Sequence, residues 1–201
     1  MMDYKRPASP HHIEIEINRS RFICYIQPVS NRAEADSFIS TVRLRHPKAN
    51  HNCWSYIAGK PDDVHQWNSS DDGEPKGTAG QPMLNVLCHN NIGNICAVVT
   101  RYFGGIKLGT GGLARAYSQA VQEALRELPT DLVVPTLDIE LRAPYDLTGE
   151  VEQLMIKFKL SQCERSFDSQ LYVKGKLASS LEAEFRQALT PYQHLVELKI
   201  S

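Results

Sequence analysis

The stretch from Ile95 to Leu128, ICAVVTRYFGGIKLGTGGLARAYSQAVQEALREL, limits most sharply what this chain can fold into. Ile95 to Val99 is a short apolar run with several β-branched residues, which suits an interior strand. Five glycines follow, at Gly104, Gly105, Gly109, Gly111 and Gly112. Glycine reaches φ > 0 without steric cost and lets a second backbone or a ligand come close. From Leu113 the apolar residues recur at helical spacing through Tyr117, Ala120, Val121, Ala124, Leu125 and Leu128. The stretch therefore reads as a buried strand, a glycine loop and a long helix. Thr110 is placed to cap that helix, whose first free N–H groups point back at the loop. Arg101, Lys107 and Arg115 bracket the loop and add positive side chains to the positive end of the helix dipole. Together these features describe a candidate anion pocket. The competing reading is a tight turn flanked by solvated cations, and a glycine pattern alone does not decide between them.

The segments before this stretch alternate strand and helix. Residues 1–12 read as a loose arm. Ile13, Ile15 and Ile17 alternate with Glu14 and Glu16 as a half-buried strand, and Asn18 to Ser20 turn it into a second strand, Arg21 to Gln27. Asn31 is placed to cap a helix with Ala35, Phe38, Ile39 and Val42 on one face, stopped by Pro47. His51 to Ala58 is a further strand, and Val64 to Asn68 a short one. SSDDGEPKGTAG is too polar and too rich in glycine and proline for a regular element, so it is an exposed loop leading into a helix with Thr78 as its cap.

LPTDLVVPT, with Pro129 and Pro135, reads as a link, and the pattern restarts after it. The expected domains are 1–135 and 136–201. In the second, strand, helix, two strands, helix and strand follow in the order βαββαβ, which is that of a ferredoxin-like sandwich.

RYFGGIKLGTGGLARAY, preceded by DDGEPKGTAGQPML, resembles the signature of the IMPACT/YigZ family of uncharacterised or regulatory proteins. The spacing of Gly80, Leu84, Leu87, Ile92, Val98, Arg101 and Gly105 fits the same pattern. The resemblance implies an α+β chain of two domains, the first like domain IV of elongation factor G and the second ferredoxin-like. It also implies that DGEPKGTAG lies close to the RYFGG loop, with Lys76 as a further positive group. Eukaryotic members are translation regulators that compete for the ribosome-associated activator of an initiation-factor kinase. They carry an extra N-terminal activator-binding domain to which MMDYKRPASPHH has no likeness.

The expected function is thus that of a non-enzymatic, translation-associated binding protein. Its groove would hold a phosphate of RNA or nucleotide, with Arg101, Gly104, Gly105, Lys107, Gly111, Gly112 and Arg115 as ligand contacts and Asp71, Asp72, Glu74, Lys76 and Thr78 alongside. Tyr102, Phe103 and Trp54 are candidates to stack a base, against which Trp54 and Phe103 also read as core. The alternative is a phosphotransferase using the same loop, with Asp71, Asp72 or Glu74 handling metal or proton. The serines that follow the glycines in such small-molecule kinases are replaced here by Ala114 and Ala116.

A formal net charge of −1 argues against a general nucleic-acid coat, so any RNA contact should be local. The five cysteines, Cys24, Cys53, Cys88, Cys96 and Cys163, lack C-x-x-C spacing and read as reduced thiols of a cytoplasmic protein. A zinc set of His51, Cys53, Cys88 and His89 is the weaker alternative. The expected partners are RNA or a ribosome-associated component, with no resident cofactor or metal. No run approaches a membrane span and no signal peptide is evident at the N-terminus.

Overall fold

Every residue from Ile95 to Arg101 is buried, and a strand apolar on both faces needs a covering layer on each side. The computed structural model, which describes residues 3–201, supplies both layers. In order along the chain lie β1 (Tyr4–Pro7), β2 (His11–Ile17), β3 (Ser20–Pro28), α1 (Arg32–Arg45), β4 (His51–Ile57), β5 (Trp67–Ser70), α2 (Gly80–His89), β6 (Ile95–Tyr102), α3 (Gly109–Glu127) and β7 (Thr130–Val133). Five strands form an antiparallel sheet in the order β2-β3-β6-β4-β5. On one face Phe22, Cys24, Ile26, Cys53, Ile57, Ala97 and Val99 pack with Met83 and Leu87 of α2 and with Leu113, Tyr117, Ala120, Val121 and Ala124 of α3. On the other face Tyr56, Cys96 and Val98 pack with Ala35, Ile39 and Val42 of α1.

Local chemistry sets the ends of these elements. Asn18 and Arg19 both have positive φ (47° and 64°), the geometry of a two-residue hairpin turn between β2 and β3. Asn31 caps α1 as expected: its side chain accepts from the Glu34 N–H, while the Glu34 carboxylate accepts from the Ser30 N–H and the Asn31 side chain.

Three stretches depart from the sequence reading. The arm is ordered from Tyr4, because β1 pairs antiparallel with β7 in the register Tyr4↔Val133 to Pro7↔Thr130. LPTDLVV, expected as a link, supplies that partner strand. Residues 1 and 2 of the expected arm lie outside the described residues. The short strand expected at Val64 to Asn68 begins instead as a 3-10 turn, Val64–Gln66, with β5 following it.

The chain divides into two compact units, Tyr4–Val133 and Val134–Ser201, the latter including Asp3. The smaller unit contains β8 (Thr136–Ala143), α4 (Thr148–Lys157), β9 (Ser161–Phe167), β10 (Leu171–Ala178), α5 (Glu182–Leu189) and β11 (Glu197–Ile200). Its sheet order is β11-β8-β10-β9, every pair antiparallel. Ile139, Leu141, Leu171, Val173 and Leu177 pack under Val151 and Met155 of α4 and Phe185 and Leu189 of α5. Asp138, Glu140, Arg142, Lys174 and Lys176 alternate with these residues and so line the opposite face. The whole is α+β, with three sheets and five helices among the described residues. Among the described residues no helix is long and apolar enough to cross a membrane.

Candidate functional site

His51 at the start of β4 and Arg101 near the end of β6 are register partners, and both point to the α3 face of the sheet. The loop after β5 closes over them through Glu74, whose side chain is 3% exposed. Its Oε1 accepts from Arg101 Nη1 at 2.6 Å and from the Tyr117 hydroxyl at 2.9 Å. His51 Nε2 stands 3.9 Å from Oε2, and its Nδ1 is 2.9 Å from the Asp72 carbonyl oxygen. Burial pushes the Tyr117 hydroxyl far above the ordinary tyrosine range, so it remains a donor to Glu74. Burial likewise raises the Cys53 thiol, which donates to the Asp71 carbonyl. Glu74 and Arg101 thus join DDGEPKGTAG to RYFGG, the proximity the family resemblance implies, through a buried pair.

The other acidic groups are also engaged. Asp71 Oδ1 accepts from the N–H groups of Ala79 and Gly80, both at 2.9 Å, and Oδ2 from that of Gly77 at 2.7 Å. Burial alone would raise this carboxyl, but the Gly77, Gly80 and Ala79 amides outweigh it and hold the pKa below the usual carboxylate range. Asp71 is therefore what caps α2. Thr78, expected as the cap, instead donates its hydroxyl to the Pro75 carbonyl at 2.6 Å inside the loop, and the N-cap position falls on Ala79, which has no side chain able to bond. Asp72 accepts from Arg43 and from the Asn52 N–H.

The cations fall into two groups. Arg101 is 6% exposed and paired, so it does not offer its charge to solvent; its Nε is buried without a partner. Lys76, Lys107 and Arg115 are exposed, and among the described residues no carboxylate forms a salt bridge with any of them. Arg115 Nη1 lies 3.8 Å from the position a Cβ would take on Gly111, so its guanidinium is folded back over the first turn of α3. That turn has no acidic residue, and Leu108 at the N-cap makes no side-chain bond. Thr110 is one residue inside the helix, which begins at Gly109 (φ +71°), and so misses the capping position expected for it.

Gly104 is fixed by crowding. A Cβ there would stand 1.9 Å from the Arg19 carbonyl oxygen, so the glycine loop is pressed against the β2–β3 turn. Gly105 and Gly112 lie on either side of the exposed Lys107, and Gly111 is exposed at the helix start. The outward surface is thus amide groups and cations, while the acids are turned inward.

Asp71 as a cap and Tyr117 and His51 as partners of Glu74 escaped the sequence reading. Tyr117 was legible only as a core position on α3, and a cap supplied eight residues upstream leaves no local spacing signal. Tyr102 reaches the α1 face, where its hydroxyl lies 2.9 Å from His46 Nδ1, and Trp54 is half-buried against Tyr56 on the same face. Phe103 is 46% exposed. Among the described residues no three His, Cys, Asp or Glu side chains gather as a metal site would require, and His51, Cys53, Cys88 and His89 form no such group. A cleft of about 1010 Å³ lies elsewhere, between α1 and the β2–β3 hairpin, where a single helix leaves part of a five-stranded face uncovered.

Comparison with known proteins gives consistent matches. The model of the Impact N-terminal domain matches residues 18–125, which include every residue of this site. A Haemophilus influenzae protein named IMPACT family member is 41% identical over 191 residues, covering 94% of this chain and 92% of its own. The Escherichia coli IMPACT family member YigZ is also 41% identical over 191 residues, covering 92% and 91% respectively. A crystal structure described as that of a hypothetical protein superposes with a TM-score of 0.66 at 37% identity, covering 100% of this chain and 97% of the other.

Proposed function

The chain belongs to the IMPACT family, and on that premise we propose that it is a non-enzymatic binding protein of the translation apparatus that takes a phosphate group of RNA or nucleotide at the start of α3. The family resemblance supplies the translational setting, a cytoplasmic location and RNA or a ribosome-associated component as partner. The phosphate rests on one observation: the cations around an uncapped helix start are exposed and, among the described residues, unpaired, with the Arg115 guanidinium laid beside Gly111. A helix start with unsatisfied N–H groups and no acidic residue favours an anion, and a cation beside it is repelled unless an anion sits between them. Lys107 extends the positive rim, Lys76 adds charge on the loop that Glu74 ties to Arg101, and Arg101 serves to hold the loops in place.

The same reading takes the larger unit as a relative of domain IV of elongation factor G and the smaller one as ferredoxin-like, its strands in the order fourth, first, third, second. Fold alone does not fix activity. A phosphotransferase would need a carboxylate free for metal or proton, and those of Asp71, Asp72 and Glu74 are each held by named donors.

The test is anisotropy with a fluorescent ten-nucleotide uridine RNA across a KCl series. Wild-type binding should weaken linearly on logarithmic axes, with a slope of about −0.7 per phosphate engaged. Lys107→Glu and Arg115→Glu should each weaken binding and flatten the slope. Wild-type protein that shows no salt-sensitive binding to this RNA or to purified ribosomes overturns the proposal.

A further inference from the structure

Resting on the phosphate reading above, we infer that Phe103 is a stacking platform for an unpaired base, so that this site takes single-stranded RNA by one base together with a neighbouring phosphate. Phe103 is 46% exposed, yet it is not a ring on a loose loop. Its N–H donates to Asn50 Oδ1 at 2.8 Å. The next residue, Gly104, donates to Ser20 Oγ at 3.2 Å and is wedged against the Arg19 backbone. Arg101 Cζ lies 5.6 Å from the Phe103 ring centroid and at the same distance from that of Phe22 beneath. Arg101 is in turn fixed by Glu74, a buried pair that costs desolvation to keep and leaves Arg101 Nε without a partner.

A ring backed by a guanidinium, on a backbone held at three points, has much of its ordering cost met before anything binds. What binds should offer a flat π-surface, since among the described residues Phe103 and Ile106 are the large apolar side chains this loop exposes, too little apolar area for insertion into lipid. It should also be anionic, because Arg19, Lys107 and Arg115 are exposed around the loop and have no salt-bridge partner among the described residues. A base on a phosphodiester chain meets both requirements, and base–aromatic stacking tolerates any sequence.

The experiment compares two labelled ligands on the full chain at fixed salt: a ten-nucleotide uridine RNA and an abasic ribose–phosphate chain of equal length. Wild-type protein should bind the RNA about 5- to 150-fold more tightly than the abasic chain. Phe103→Leu, which keeps apolar cover over Arg101 but has no π-face, should bring RNA binding down to the abasic level and leave abasic binding unchanged. Phe103→Trp should restore the difference. Equal wild-type affinity for both ligands overturns the platform and leaves the phosphate reading standing, whereas no salt-sensitive binding of either removes both. Binding to anionic vesicles that Phe103→Leu abolishes while RNA binding is unmoved also overturns it, in favour of a membrane contact.

Discussion

The two units treat charge in opposite ways. On the open sheet face of the smaller one, acids and bases are matched across strands. Lys176 bonds Asp138 at 3.0 Å, Glu140 stands opposite both Lys174 and Lys199, and Arg142 stands opposite Glu197 with its guanidinium 5.6 Å from the Tyr172 ring centroid. Such ladders keep a face soluble and leave little net field for a polyanion. Around the β6–α3 loop of the larger unit, the acids point inward to cap a helix and clamp Arg101, and among the described residues Lys107 and Arg115, like Lys76 in the loop that carries Glu74, have no carboxylate partner. Charge is therefore structural when buried, neutralised when laddered and, around this loop, available because the nearby acids are occupied elsewhere. A near-neutral chain can in this way hold one local cationic rim.

Several changes would break or sharpen this contrast. The largest effect is expected at the clamp. Glu74→Ala leaves the Arg101 guanidinium buried and unpaired and should cost about 3–5 kcal/mol in urea denaturation. A loss below about 1 kcal/mol would mean that the pair is not the brace described. Gly104→Ala comes next, at roughly 1–3 kcal/mol, because the added methyl meets the Arg19 carbonyl and the loop must shift away from the β2–β3 turn.

Asp71→Ala should cost about 1 kcal/mol at neutral pH by uncapping α2. The folded-state pKa of Asp71 is depressed, so its contribution is complete above the unfolded value near 4 and disappears as pH falls through the folded one. The gap between wild type and Asp71→Ala should accordingly close in acid, and a gap that widens would refute the capping role. Smallest is Glu140→Ala on the laddered face, expected below about 1 kcal/mol and without effect on RNA affinity. If Lys174→Glu on that face disturbed RNA binding as much as Lys107→Glu does, the contrast between the units would fail.

How much of this was legible in the sequence follows from the range of the interactions. The strand at Ile95 and the helix after it declare themselves, because burial on both faces and a helical stripe are local patterns. The Asn31 cap is equally local. The Glu74–Arg101 pair spans 27 residues and the Thr100–Asn52 bond 48, so residue types marked these positions as polar while only the folded sheet shows them buried and paired. Arg101 thus read as an open cation like Lys107, although the α3 face of β6 carries it inward. The β1–β7 ribbon was hidden for the same reason: each strand is four residues long and finds its partner more than a hundred residues away.

That ribbon has a practical consequence. Where the larger unit begins and where it ends, the backbone runs as neighbouring antiparallel strands, about 5 Å apart. A unit whose ends meet in this way suits splicing into a host loop, or rejoining with new ends opened at an exposed turn such as Asp62. Trimming through Pro7, by contrast, would strip Thr130–Val133 of the one strand it pairs with among the described residues and leave its backbone groups on that side unpaired.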